Sequence, residues 1–308
     1  MKPLLITGSI AIDTIRNKGR LATDQLGGSA AFAALAARHW CKPVILSAIG
    51  GDYPPALERR LLDAGLDLRN LTRVASDKSF RWEGVYKENL GIRETIGVDL
   101  GVMATASLLT PADIGKYKFA MMATYAPEKE LEVAAKLPPE CFIAVDTIAV
   151  YINTPALKSQ LLNLIGKSGL LCIDDGETAA LTGTRSEEEA VRKVFEMGPK
   201  WMIVKHGKLG SILYSQDGKT ARLGIYDNIP IETTGAGDTF LGSVMAHLAA
   251  TGKIDFATIM EGMRLGTAAA SVTVEAFGVE ELIKATRQEI ERRAENIAPY
   301  GQNTIPVK

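Results

Sequence analysis

The chain has 308 residues, with 35 Lys and Arg against 36 Asp and Glu and a formal net charge of −1. Hydrophobic residues make up 46% and charged residues 23%, a globular composition that sets aside disorder, collagen and coiled coil as overall descriptions. There is no basic excess to neutralise a nucleic-acid backbone, and no apolar run nears the ~18 residues of a membrane span, so neither partner is expected.

The opening MKPLLITGSIAIDTI reads as a first strand, Leu4–Ile10, rather than a signal peptide, because Gly8, Ser9 and Asp13 interrupt it. An Ala-rich helix is expected over Ser29–Trp40, a strand over Val44–Ile49 stopped by Gly50-Gly51, and a helix over Pro55–Ala64 closed by Gly65. Residues 79–99 alternate Phe80, Trp82 and Tyr86 with Arg81, Glu83 and Lys87. Asn89-Leu90-Gly91 then supplies turn chemistry, so this stretch reads as a hairpin with an aromatic stripe. Short apolar strands follow at Phe119–Ala123, Phe142–Val145, Leu170–Ile173 and Met202–Val204. Helices are expected over Glu128–Lys136, Thr154–Ile165, Glu187–Met197 and Thr239–Ala250. Residues 255–296 read as mostly helical, with a loose tail after Pro299. Strands alternating with helices imply parallel βαβ units covered on both faces.

Cys41, Cys141 and Cys172 each have apolar neighbours and form no C-x-x-C pair, which suits buried reduced thiols in a cytoplasmic protein. Three histidines without H-E-x-x-H or a Cys/His cluster argue against structural zinc, and no G-x-S-x-G elbow is present. Gly166-Lys167-Ser168 and Gly218-Lys219-Thr220 mimic the end of a P-loop, but Leu161 and Leu213 stand where its first glycine belongs.

The informative stretch is Glu232-Thr233-Thr234-Gly235-Ala236-Gly237-Asp238-Thr239-Phe240. Small residues leave the backbone uncovered just before an apolar-periodic helix. The first N–H groups of a helix lack intrahelical partners and lie at the positive end of its dipole, so they form an anion site. Asp238, in the same turn, can accept a proton from a hydroxyl as its oxygen attacks phosphorus. The bland alternative is a Gly-rich turn with an Asp in the first helical turn.

Thr233-Thr234-Gly235-Ala236-Gly237-Asp238 resembles the signature of the ribokinase-like, PfkB-type carbohydrate kinases. Further landmarks come in family order over about residues 4–280: Gly8–Asp13, Gly27-Gly28-Ser29, Asp174-Asp175-Gly176-Glu177 and Lys205-His206-Gly207-Lys208-Leu209-Gly210. The resemblance implies one three-layer α/β/α domain over residues 1–308, with a mostly parallel central sheet. It also implies a small β lid from about residues 12–25 and 79–99.

By the same resemblance Asp238 is the catalytic base, and Gly235, Ala236 and Gly237 form the anion hole. ATP and Mg²⁺ are the implied cofactors. Glu177 would help order the Mg²⁺, with Asp174 beside it, and Thr233, Lys205, Gly207 and Gly210 would lie on the nucleotide side. Lys205 reads equally as a plain strand-end lysine. Asp13 would accept two substrate hydroxyls, since a carboxylate can accept bidentately. Gly27 and Gly28 would allow close approach of substrate, and Ser29, Phe32 and Trp82 would line its site. Asp52 is either a ligand group at a strand end or a cap before Pro54-Pro55.

The chain departs from ribokinases proper, which carry Lys-Gly-Ala-Asn after the di-glycine. Here Ser29 and Phe32 occupy two of those places, and Phe32 either stacks on a ring or joins the core. Glu232 replaces the usual Asp, which puts a family-type monovalent-cation site in question. The expectation is an ATP-dependent kinase for a primary hydroxyl of a small sugar or sugar derivative. The alternatives are a nucleoside kinase, in which Phe32, Trp82 and Tyr86 sandwich a base, and a catalytically silent ligand-binding member. A homodimer through the lid is expected from its exposed strand edge.

Overall fold

The computed structural model describes residues 1–86 and 93–298. Among them, thirteen strands form two sheets. The larger contains β1 (Pro3–Gly8), β4 (Lys42–Gly50), β5 (Leu71–Val74), β8 (Phe119–Ala123), β9 (Phe142–Asp146), β10 (Leu170–Asp174), β11 (Trp201–Lys205), β12 (Ser211–Ser215) and β13 (Thr220–Leu223). Its order is β13-β12-β11-β10-β9-β8-β1-β4-β5. The pairs from β11 to β5 are parallel, while β11–β12 and β12–β13 are antiparallel.

The strands are apolar on both faces because helices cover both. Leu4 and Ile6 enter one core, against the helices at 29–37, 236–251 and 256–273, whereas Leu5 enters the other, against the helices at 127–134 and 155–165. This alternation follows from the period of two along a strand. On the first side the helices approach very closely. A side chain at Gly242 would lie 2.6 Å from the Ala33 carbonyl, so the alanine run of helix 29–37 is a packing surface. Leu248, Ala249 and Met245 are fully buried there.

The chain builds β4 and β5 on one side of β1, then returns to place β8 on the other. The order therefore reverses between β1 and β8, where open α/β sheets place their ligands, beyond the carboxyl ends of the strands. Gly8, Asp146, Asp174 and Lys205 close four of those strands.

The smaller sheet, β3-β2-β6-β7, comprises β2 (Ala11–Asn17), β3 (Arg20–Gly27), β6 (Arg81–Tyr86) and β7 (Arg93–Asp99). Strands β2 and β6 are parallel and the outer pairs antiparallel. Together they draw on the two segments expected to form a β layer. The Asn89-Leu90-Gly91 turn and the tail beyond Pro299 lie outside the described residues.

Some boundaries differ from the sequence expectation for physical reasons. The first strand stops at Gly8 (φ +150°), a position closed to other residues because a Cβ there would meet the Ala123 carbonyl at 2.5 Å. The helix expected over Ser29–Trp40 ends at Ala37. The helix expected from Thr239 begins at Ala236, so the glycine turn itself is its first turn. The aromatic stripe is not one face. Burial along β6 deepens toward its end, while the register shift opposite Glu83 and Gly84 skips Ile96 of β7. Phe80 packs on the core of the main sheet, Trp82 is half-buried, and Tyr86 is buried.

Candidate active site

Gly235 sits in the left-handed region (φ +77°) and precedes the helix at 236–251. Glycine is required there twice over. Its φ suits no bulky residue, and an added Cβ would lie 2.4 Å from the Phe32 ring. Phe32 is 1% exposed, so the ring expected to line the substrate site lies in the core beneath Gly235. This corrects its assignment: the Ala-rich helix points that position inward, and Gly235 closes over it.

The Ala236 N–H donates to the Thr233 carbonyl at 3.3 Å. Asp238 lies in the first turn and is half-buried. Thr239 and Thr273 share a buried hydroxyl bond at 3.0 Å that ties the helix to its neighbour at 256–273.

Lys205 is the last residue of β11. A Cβ on Gly237 would lie 3.2 Å from Lys205 Nζ, so the ammonium faces the turn. The same nitrogen donates to Asp146 Oδ1 at 2.8 Å. Burial alone would lower the Lys205 pKa, but the Asp146 carboxylate, with Cys172 and Glu177, more than offsets it and holds the group firmly charged. Asp146, which the sequence reading passed over, is buried at the end of β9. The available signal was a charged residue closing an apolar parallel strand.

Glu177 Oε2 accepts the Thr147 hydroxyl at 2.7 Å. Burial pushes its carboxyl up to about 7; Lys205 opposes the shift, and Asp174 and Asp146 add to it. Asp174 caps the helix at 175–182, accepting the Glu177 N–H at 2.7 Å. The Asp146 carboxylate contacts the Lys205 ammonium, and the Glu177 carboxylate acts on it electrostatically. Among the described residues, no group of three His, Cys, Asp or Glu forms a closed metal cage. An oxygen-only, incomplete donor set of this kind suits Mg²⁺, which keeps waters and leans on substrate phosphates.

Gly207 (φ +54°) and Gly210 (φ +89°) form a tight turn after β11. Gly210 is needed by the fold, since a Cβ would lie 1.9 Å from the Leu223 carbonyl, whereas Gly207 faces open space. Gly218 (φ +88°) lies between β12 and β13, so the P-loop mimic there is part of a hairpin connection.

The di-glycine is closely packed against the protein's own atoms. A Cβ on Gly27 would lie 1.8 Å from Asp13 Oδ2, and one on Gly28 would lie 2.4 Å from the Ser9 carbonyl. Gly27 therefore makes room for the Asp13 carboxylate, which is 3% exposed. Ser29 is also engaged internally. Its hydroxyl accepts the Ser9 N–H at 3.0 Å while Ser9 Oγ accepts the Ser29 N–H at 3.0 Å, so Ser29 splices helix 29–37 to the end of β1. Trp82 folds over Gly84, where a Cβ would meet the indole at 2.0 Å, and its N–H donates to Thr95 Oγ1 at 3.1 Å. Asp52 does not cap the following helix. It accepts the Ser79 N–H at 2.6 Å and pairs with Arg81 at 3.1 Å, which fixes the chain where it enters β6.

Glu232 is buried under the turn. Its Oε1 accepts the Tyr86 hydroxyl at 2.8 Å and the Thr234 N–H, while Oε2 is buried without a hydrogen-bond partner. Burial raises its pKa, against the bonds from Thr234 and Tyr86. Tyr86 is thus removed from any aromatic sandwich.

Cys41, Cys141 and Cys172 are buried and free, as their apolar neighbours suggest. Burial pushes the Cys41 and Cys141 thiols up to about 12, which leaves them inert. Among the described residues, no helix is long and apolar enough to cross a membrane.

A glycine-lined helix start at the carboxyl edge of a parallel sheet, with a lysine aimed at it and an aspartate in its first turn, is an arrangement of an open α/β protein that suits an anionic group. The model of the pfkB family of carbohydrate kinases matches residues 1–286, and the chain belongs to that family. It is 27% identical over 218 residues to the bifunctional ribokinase/ribose-5-phosphate isomerase A of Fructilactobacillus sanfranciscensis, covering 64% of this chain but 39% of that protein. It is 24% identical over 252 residues to the cytidine kinase of Thermococcus kodakarensis, covering 80% and 88% of the two chains. The crystal structure of Methanocaldococcus jannaschii nucleoside kinase superposes with a TM-score of 0.78 at 21% identity, over 96% of this chain and 99% of that one.

Proposed function

We propose that this protein transfers the γ-phosphoryl group of ATP to a primary hydroxyl of a small sugar or sugar derivative. The observation that carries the reading is the Lys205 ammonium placed against Gly237 at the start of the helix that carries Asp238. Asp238 takes the hydroxyl proton as the acceptor oxygen attacks the γ-phosphorus in line, and the bond to the β-phosphate oxygen breaks to release ADP. The Gly237 region and Lys205 stabilise the charge on the transferred group, in a site where fixed dipoles need no reorganisation. Thr233, Gly207 and Gly210 border the nucleotide. Glu177 and Asp174 would hold Mg²⁺, which neutralises phosphate charge when bound. A monovalent cation at the unpartnered Glu232 Oε2 belongs to the same reading. Asp13, in the space left by Gly27, accepts hydroxyls of the acceptor. The small sheet acts as a lid that excludes water. Exposed Ile96 and Val98 on β7, and Leu21 on β3, support a homodimer through it.

Nucleoside phosphorylation is the second reading, supported by the likeness to cytidine kinase. Its aromatic sandwich is reduced, however, because Phe32 and Tyr86 are buried. ADP release measured with D-ribose, D-fructose and cytidine as acceptors tests both. Sugar-dependent ADP supports the first reading, and cytidine-dependent ADP the second. Silence with every acceptor, with MgATP still raising the melting temperature, would leave a ligand-binding member without catalysis.

A further inference from the structure

Strands β2 and β6 finish side by side, with Asn17 opposite Tyr86 in register. Both side chains leave the small sheet for the segment that leads into the anion-hole turn. Asn17 Nδ2 donates to the Ile231 carbonyl. The Tyr86 hydroxyl donates to Glu232 Oε1 at 2.8 Å and lies 2.9 Å from Thr234 Oγ1. Thr233 Oγ1 donates to the same phenol oxygen at 3.3 Å. Glu232 Oε1 passes the connection on by accepting the Thr234 N–H, one residue before Gly235.

Asn17, Tyr86, Glu232 and Thr234 are 5%, 3%, 1% and 8% exposed. Hydrogen bonds this dry are not readily replaced by water, so breaking one leaves its partner unsatisfied and is felt by the rest of the network. Two neighbouring strands of one sheet thus grip four consecutive residues of a loop that is more than 140 positions away in sequence from Tyr86. Elsewhere the small sheet meets the main body through Ile12 and Leu26, which join the main core, and through the Asp52–Arg81 pair at the opposite end of β6.

We propose that Tyr86 is a positioning residue that couples the small sheet to the anion-hole turn, so that the turn takes its phosphate-binding shape only while the sheet is seated. Tyr86 touches neither phosphate nor acceptor in this scheme; it acts through Glu232 and Thr234. The part that concerns turnover rests on the kinase reading above, while the coupling itself does not.

The test is hydrogen–deuterium exchange on the ligand-free full chain, wild type against Tyr86→Phe, which keeps the buried ring and removes the hydroxyl. The coupling predicts that amides of β2, β6 and residues 232–238 exchange together about 10-fold faster in the variant. Those of β9 and β10 should be unchanged. Asn17→Ala, which cuts the other strand's contact, should give the same paired pattern. Unchanged exchange at 232–238 in both variants, or acceleration spread evenly over the chain, would overturn the proposal. In steady-state kinetics with D-ribose, D-fructose or cytidine, Tyr86→Phe should lower kcat about 10-fold with the KM for ATP unchanged. An unaltered kcat in an active protein would also overturn it. Wild-type silence with every acceptor would refute the kinase reading alone, and the exchange pattern would still decide the coupling.

Discussion

The two sides of the cleft are built on opposite plans. The phosphate side exposes its working parts: backbone at Gly237, an ammonium held charged by Asp146, and carboxylates at Glu177 and Asp174. The acceptor side withdraws its distinctive residues. Ser29 splices a helix to a strand, Phe32 supports Gly235, and Tyr86 binds Glu232. Under the proposed function, the difference teaches that phosphoryl transfer would rest on a few fixed charges and dipoles, and acceptor choice would fall to Asp13 and to groups of the small sheet.

The sharpest way to break this comparison is Asp238→Ala. It should lower kcat by about 10²–10⁴-fold while MgATP binding, followed by calorimetry, stays near wild type. Full activity would take Asp238 out of the chemistry.

Phe32→Ala tests whether the supposed acceptor residue is core. Emptying this buried site should cost about 3–5 kcal/mol of stability, read from denaturant midpoints. A variant as stable as wild type would return the ring to the acceptor site.

A smaller effect comes from pH. Glu130 is buried beneath the site, accepting the Thr7 hydroxyl at 2.6 Å and the Tyr125 N–H at 3.1 Å. Burial pushes its carboxyl up to about 8, against the bonds from Thr7 and Tyr125 and with Asp146 adding to the shift. The native state therefore binds more protons than the unfolded chain between about pH 4.5 and 8, so stability falls as pH rises through that window and levels off above it. Glu177 adds in the same direction up to about pH 7. Glu130→Gln should reduce this fall in ligand-free thermal unfolding, and an unchanged pH slope would show that Glu130 does not titrate there.

What the sequence disclosed follows the same division. The turn at 233–238 was legible because its small residues are consecutive and open the helix at 236–251. The α/β layering was legible because strands buried on both faces are apolar throughout. The Lys205–Asp146 pair was not, because 59 positions separate its members and only the parallel register of β9, β10 and β11 joins them. Tyr86 was misplaced because its partners, Glu232 and Thr234, lie 146 and 148 positions away in sequence and no local pattern marks them. The β12–β13 hairpin was missed because two short edge strands leave little periodicity to read.

The most direct measurement is a crystal structure with a non-hydrolysable ATP analogue and Mg²⁺. The account predicts the terminal phosphate within hydrogen-bonding distance of the Gly237 amide and Lys205 Nζ, with the Asp238 carboxylate on the far side of that phosphorus, toward Asp13. A terminal phosphate held elsewhere, with Asp238 turned away from it, would contradict the account.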